Sequence, residues 1–298
     1  MNQISIMTIN PFVEKFMMYQ HFHDKEMLED EYEEMMAAIH EAGYQAVDVT
    51  VMETQIFPVD YILQVLKKYE LSVSSYICFL EFANPDEKME ERIALAKKQA
   101  DLAAALGTKI LMLVPTAHEG IEEMRPDEIR QTMIRHWNEV VPYARQLGLH
   151  PVIEDTPNLK LCLDKADEVK EVLDAVEGLE LVYDSGNMIL DGEDPVEYVK
   201  KFAGRIGFAH LKDMAILGKE DEGSERMRDG RATKCVATGS GIIDIKGVIR
   251  ALLETGYTGG MTVEYGKDPE KTHLESFVAA REYVEECIRE CVQEVSDR

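Results

Sequence analysis

Four short stretches of this chain end in side chains able to share one metal ion. They are Val152-Ile-Glu-Asp155, Leu181-Val-Tyr-Asp184, Ile206-Gly-Phe-Ala-His210 and Met261-Thr-Val-Glu264. Each is a run of mostly apolar residues that delivers a carboxylate or an imidazole at its C-terminal end. Glu154, Asp184, His210 and Glu264 stand 30, 26 and 54 residues apart. Oxygen and imidazole donors with no thiolate suit Mn²⁺, Co²⁺, Mg²⁺ or Zn²⁺ and argue against a soft-metal site. Three carboxylates around a dication leave an electron-rich centre able to take up a carbonyl and its neighbouring hydroxyl. Singly, each residue is an ordinary polar group at a strand end. Four at corresponding places describe one site.

The elements that position them follow from the hydrophobic pattern, which alternates strand and helix along the whole chain. Strands are expected at Ile4–Ile9, Ala46–Val51, Leu71–Phe79 and Lys109–Val114, the last halted by Pro115, and then at the four stretches above. Helices are expected near 29–42, 59–69, 86–106, 126–147, 165–176, 195–202, 245–255 and 272–291. Gly43, Gly107, Gly148 and Gly256 stand at helix C-termini. Eight βα units with the site at the strand ends predict an α/β fold, a closed (β/α)8 TIM barrel formed by residues 1–298 as a single domain. An open doubly wound sheet is disfavoured because strand one leads into Asn10-Pro-Phe-Val13, with no glycine-rich turn.

Length and composition agree. The chain has 298 residues, 45% apolar and 30% charged, enough to bury a large core. A net charge of −25 repels a phosphate backbone, and no basic patch offsets it, so no nucleic-acid partner is expected. No run approaches the ~20 apolar residues of a membrane span, and the N-terminus has no leader pattern. Five scattered cysteines fit a reducing cytoplasm. Cys287 and Cys291, four apart on one helix, are expected to pack as small apolar groups. Trp137, the only tryptophan, is expected between a helix and the barrel.

The residues around the four ligands point to a family. Ile153-Glu154-Asp155-Thr-Pro-Asn158, Tyr183-Asp184-Ser-Gly-Asn187, His210-Leu-Lys-Asp213, Gly239-Ser-Gly-Ile-Ile-Asp244 and Gly256-Tyr-Thr-Gly-Gly-Met-Thr-Val-Glu264 resemble the xylose-isomerase-like TIM-barrel superfamily. Within it the chain is similar to the sugar-phosphate isomerase/epimerase group, which includes ketose 3-epimerases and inosose dehydratases. The resemblance implies that Glu154, Asp184, His210 and Glu264 bind one divalent metal, Mn²⁺ foremost. It also implies that Glu154 and Glu264 are the catalytic pair. One would abstract a proton next to the substrate carbonyl, giving a metal-stabilised enediolate, and the other would return a proton from the far face. A dehydratase would use the same metal site and expel a β-hydroxyl. A non-catalytic barrel would be expected to have lost ligands, and all four are present. A repair endonuclease would need further histidines and a basic groove.

Other candidates surround this set. Lys212 either contacts a substrate oxygen or forms a salt bridge to Asp213 or Asp184. Asn187 stands where the family often has His; an amide there orients a hydroxyl or water but does not replace a histidine proton donor. His21 and His23 follow strand one and are candidate substrate contacts, as is His118 after strand four. Asp155 and Asn158 are candidate supports for the ligands or caps of loops. Gly239-Ser-Gly241 either holds a phosphate or shapes the turn before a helix, with the turn favoured. The charged segment Asp213–Thr238 reads as a long loop, and a lid, a phosphate clamp and a subunit contact all remain open for it. The position where similar epimerases often carry an arginine, six residues after the His, is Ile216. The expected partner is a small carbohydrate or its phosphate, and the expected assembly is a homo-dimer or homo-tetramer.

Overall fold

The computed structural model describes residues 2–8, 25–117, 121–156, 160–220 and 223–296. His21, His23, His118 and Asn158 lie outside these. Eight parallel strands close into a barrel: β1 (Ile4–Met7), β2 (Ala46–Thr50), β3 (Ser72–Leu80), β4 (Ile110–Pro115), β5 (His150–Glu154), β6 (Glu180–Asp184), β7 (Ile206–Leu211) and β11 (Met261–Val263). They neighbour one another in chain order, and β11 pairs with both β7 and β1. Around them run α1 (Lys25–Glu41), α2 (Val51–Ile56), α3 (Val59–Lys68), α4 (Met89–Leu106), α5 (Pro126–Gln146), α6 (Ala166–Ala175), α7 (Pro195–Lys201), α8 (Ile245–Glu254) and α9 (His273–Ser296). Among the described residues, no helix is long and apolar enough to cross a membrane.

Strand parity sorts the side chains. Residues at i and i+2 share a face, so Val152, Val182 and Phe208 point inward one step below Glu154, Asp184 and His210. With Met7, Ile77, Met112 and Val114 they fill the barrel as a small apolar plug. Their outward neighbours, such as Ile153, Leu181, Tyr183 and Ala209, join the larger core between strands and helices. Trp137 is wholly buried in that layer, edge-on to Phe82, and Cys287 and Cys291 are buried there too. The apolar plug is a floor: it closes the barrel below the polar ring and keeps water from entering behind it.

Helix ends match the expected punctuation. Gly107 caps α4 with φ +80°, a left-handed turn that costs glycine nothing and costs L-residues with a Cβ considerably more. Pro115 closes β4 as its last residue, pairing with Leu80.

Two features depart from expectation. Val51, expected to end a strand, opens the six-residue helix α2, which Thr50 and Glu53 start as a capping box. The segment after β7 is not a loop. It folds into a three-stranded antiparallel sheet of β8 (Asp213–Leu217), β10 (Ala232–Val236) and β9 (Glu225–Arg226), with β10 central.

Candidate metal centre

Four consecutive barrel strands, β5, β6, β7 and β11, bring Glu154, Asp184, His210 and Glu264 together at their C-terminal ends. Their donor atoms lie within 4.8 Å of one another, close enough to share a single ion. The glutamates come from the outer two strands and flank the group from two sides. Asp184 and His210 sit on the inner two, directly paired across the ladder.

Each ligand is held by backbone or by a buried partner. Asp184 Oδ1 accepts from the amides of Gly186 (2.7 Å) and Asn187 (2.8 Å). Its buried Oδ2 has no hydrogen-bond donor among the described residues and looks toward Glu264. His210 is fully buried, its ring T-shaped to the Phe208 ring below it with centroids 5.6 Å apart. Its Nδ1 lies 3.1 Å from Glu154 Oε1 and 3.8 Å from Glu264 Oε2, while Nε2 lies 3.1 Å from Asp48 Oδ2. Asp48, inward-facing on β2 and wholly buried, is the residue that sequence reasoning missed. Its other oxygen accepts from Ser74 and Thr262 hydroxyls. A carboxylate on Nε2 fixes the proton there and turns the Nδ1 lone pair toward the ligand group, an arrangement that orients metal-binding histidines.

The electrostatics show why the cluster suits a cation. Burial and the neighbouring Glu264 and Glu154 carboxylates push Asp184 well above the usual carboxylate range, against the pull of Lys212. Burial on its own lowers the basicity of His210, but Asp48 and Glu154 outweigh it and hold the imidazole well above its ordinary value. Without an ion, protons on these two groups relieve the crowding of negative charge. A divalent ion does the same with more charge in less space. The orphan Asp184 oxygen and the inward Nδ1 both fit such an ion.

Lys212 enters the same group. Its ammonium lies 2.7 Å from Glu264 Oε1 and 2.9 Å from Asn187 Oδ1. The salt-bridge partner is therefore Glu264, not Asp213 or Asp184. Burial works against the charge on Lys212, but Glu264 and Asp184 hold it protonated. Asn187 is used at both ends of its amide, donating to the Asp155 carbonyl at 3.0 Å. Its place is that of a spacer between Lys212 and β5. Gly186 leaves room for the lysine stem: a Cβ there would stand 2.5 Å from Lys212 Cδ. Asp155 is buried on the outer side of β5, where burial and the nearby Asp184 and Glu154 push its carboxyl up.

The glycine motif resolves in favour of the turn. Asp213 Oδ2 accepts from the amides of Gly239 (2.9 Å) and Gly241 (2.8 Å), and Oδ1 accepts from Met214 (2.9 Å) and Ile243 (3.1 Å). The amides that would cradle a phosphate are filled by the chain's own carboxylate. The arginines of the sheet are also engaged: Arg226 with Glu220, Arg228 with Asp164 and Asp191, and Arg231 with Asp229.

A closed parallel barrel with this group at its mouth defines a class, and comparison places the chain within it. Residues 36–287 match the model of the xylose isomerase-like TIM barrel family, and the chain belongs to that family. An inosose dehydratase of Clostridium perfringens is 23% identical over 280 residues, spanning 87% of this chain and 90% of the relative. An L-ribulose 3-epimerase structure superposes with a TM-score of 0.74 at 14% identity, covering 99% of this chain and 97% of that one. The IOLI protein, solved with a zinc atom, gives 0.72 at 18% identity, with 97% and 98% covered.

Proposed function

We propose that this protein is a divalent-metal-dependent enzyme that removes a proton from the carbon next to the carbonyl of an unphosphorylated keto sugar or cyclic polyhydroxy ketone. The observation that carries the proposal is the placement of Glu154 and Glu264 on the outer two of four adjacent strands, on either side of Asp184 and His210. These four residues would hold the ion, and a bound ion supplies Lewis acidity toward the carbonyl and its neighbouring hydroxyl. One glutamate takes the proton, leaving an enediolate. The other, across the group and entering the cycle as the carboxylic acid, gives its proton to the opposite face; exchange with solvent then resets the pair, and the product is an epimer or isomer. Lys212 keeps Glu264 ionised: burial raises that carboxyl, the ammonium lowers it, and the net displacement is downward.

The substrate is read as unphosphorylated because the candidate phosphate cradle and Arg226, Arg228 and Arg231, on β9 and in the turn after it, are bound to internal carboxylates. Five free cysteines are consistent with a cytoplasmic enzyme.

A second reading, dehydration, is favoured by one specific feature. A buried ammonium 2.7 Å from Glu264 can donate a hydrogen bond to a departing β-hydroxyl, a contact that epimerisation does not require. The inosose dehydratase relatives point the same way.

The test is solvent-deuterium incorporation followed by NMR, with ketoses, ketose phosphates and inososes offered to metal-loaded protein, chelated protein and Glu264→Gln. Deuterium should enter at a carbon beside the carbonyl of a neutral substrate, and chelation and the substitution should both abolish it. Product analysis separates an epimer from a dehydrated ketone. Metal-loaded protein that exchanges none of the panel would overturn the proposal.

A further inference from the structure

The sheet that replaces the expected loop delivers one more carboxylate to the mouth of the barrel. Glu225 on β9 pairs with Thr233 on β10, so the two side chains share a face. Thr233 and Cys235, two apart, share it as well. Cys235 Sγ lies 4.0 Å from the Glu264 carbonyl. A Cβ on Gly266 would fall 2.2 Å from the Val236 carbonyl, so β10 packs directly on the segment after Glu264. The face carrying Glu225 thus looks onto the candidate metal centre, and the charges that act on Glu225 are those of Lys212 and Glu264. No described residue donates a hydrogen bond or forms an ion pair to the Glu225 carboxylate. A partly buried carboxylate beside the candidate metal centre, with no such partner among the described residues, is available for a ligand.

Its position is fixed from behind. The Arg228 guanidinium pairs with Asp164 and Asp191, and the Arg228 amide donates to the Leu190 carbonyl at 2.7 Å. That carbonyl ends the short turn beginning at Asn187, the residue that holds Lys212. The strand carrying Glu225 and the support of Lys212 are therefore clamped to one another.

We infer that Glu225 is a specificity-determining residue, accepting hydrogen bonds from hydroxyls at the end of the substrate remote from the metal and excluding a phosphate or carboxylate there. The inference rests on the function proposed above and adds what the far end of the substrate must be. A carboxylate accepts from two adjacent hydroxyls at once, whereas an anion brought beside it in a site of low dielectric is repelled.

The experiment compares matched ligands, D-fructose with D-fructose 6-phosphate and D-ribulose with D-ribulose 5-phosphate. Equilibrium binding to the metal-loaded full chain is measured beside the deuterium-exchange assay. The wild type should prefer the neutral member of each pair. Glu225→Gln should narrow that preference by about tenfold and Glu225→Lys should reverse it, charge repulsion being removed and then inverted. Arg228→Ala should narrow it without touching the mouth, and metal affinity should stay within a few-fold of wild type in Glu225→Gln and Arg228→Ala, the added positive charge of Glu225→Lys weakening it further. Unchanged discrimination in both Glu225 variants, with exchange activity retained, overturns the inference alone. Loss of metal affinity along with discrimination in Glu225→Gln also overturns it, by making Glu225 a support of the centre. A wild type that neither binds nor exchanges any neutral ligand overturns the proposed function and the inference together.

Discussion

Asp48 offers the sharpest test of how the centre is built. Its carboxylate and the His210 ring are both fully buried, and their 3.1 Å contact is the bond that fixes the imidazole tautomer. Asp48→Ala leaves an N–H on Nε2 with no acceptor, or moves the proton to Nδ1, where it blocks the lone pair facing Glu154 and Glu264. Either outcome removes a charge-assisted buried hydrogen bond, with a cost of about 1.5–3 kcal/mol. At about 1.4 kcal/mol per factor of ten, metal affinity should fall by roughly 10- to 100-fold. Asp48→Asn should do less harm, because its amide oxygen still accepts from Nε2–H while the Ser74 and Thr262 hydroxyl oxygens turn to accept from the new NH₂ group. The assay is Mn²⁺ and Zn²⁺ affinity by competition with a chromophoric chelator, beside urea denaturation of the metal-free proteins. A change below about threefold for Asp48→Ala, with the fold intact, would refute this account of the histidine.

Three further outcomes follow. Metal binding should release protons from His210 and Asp184, since both are held above their ordinary values and ligands bind deprotonated; calorimetry in buffers of different ionisation enthalpy detects them, and zero released protons would contradict the charge argument. Burial raises buried Glu53 to about 7 from 4.5, despite donors at Thr50 and Thr8. The folded chain therefore holds this proton more tightly than the unfolded chain. The contribution is complete below pH 4.5 and disappears as pH rises through 7, about 3 kcal/mol in all. Denaturation of Glu53→Gln, which stays neutral, should show its stability gaining on the wild type by about that amount between pH 4.5 and 8.5, and a constant gap would refute it. Gly186→Ala introduces no backbone strain, because Gly186 sits at φ −101°. Its Cβ collides with the Lys212 stem, so it should cost about 1–3 kcal/mol and lower turnover while metal affinity holds. Wild-type turnover in this variant would mean that Lys212 has no part in the reaction.

What the sequence made legible and what it hid divide along one physical line. A barrel strand announces itself by an apolar run, and a carboxylate or imidazole at or next to its C-terminal end stands out against that run. Glu154, Asp184, His210 and Glu264 all have that signature, and the structure brings them to one place. Asp48 is equally inward-facing but sits mid-strand, between Val47 and Val49 and before Thr50. A search confined to strand ends passes over it. The period-2 pattern does contain the signal, since an acidic residue flanked by outward valines must point into the barrel. Helix α2 was hidden by its composition, Val51 extending a β-branched run. Yet the Thr50-x-x-Glu53 spacing is a helix start written in the sequence.

The sheet after β7 was the least legible part. Its charge favoured a loop, and β9 is only two residues long, too short to show any period. Antiparallel pairing between segments so unlike in length comes from tertiary contact with the barrel mouth and not from local pattern. For the same reason the phosphate question was open in the sequence, and the described residues bear on it at two places, the glycine turn and the arginines. Arginines and a glycine-rich turn are anion sites when free, and each here already has its own carboxylate. Asp213, Glu220, Asp164, Asp191 and Asp229 thus occupy those sites from within the chain. What stays open at the mouth, among the described residues, is Glu225 and the ring of ligands: groups that accept hydroxyls and cations and turn anions away.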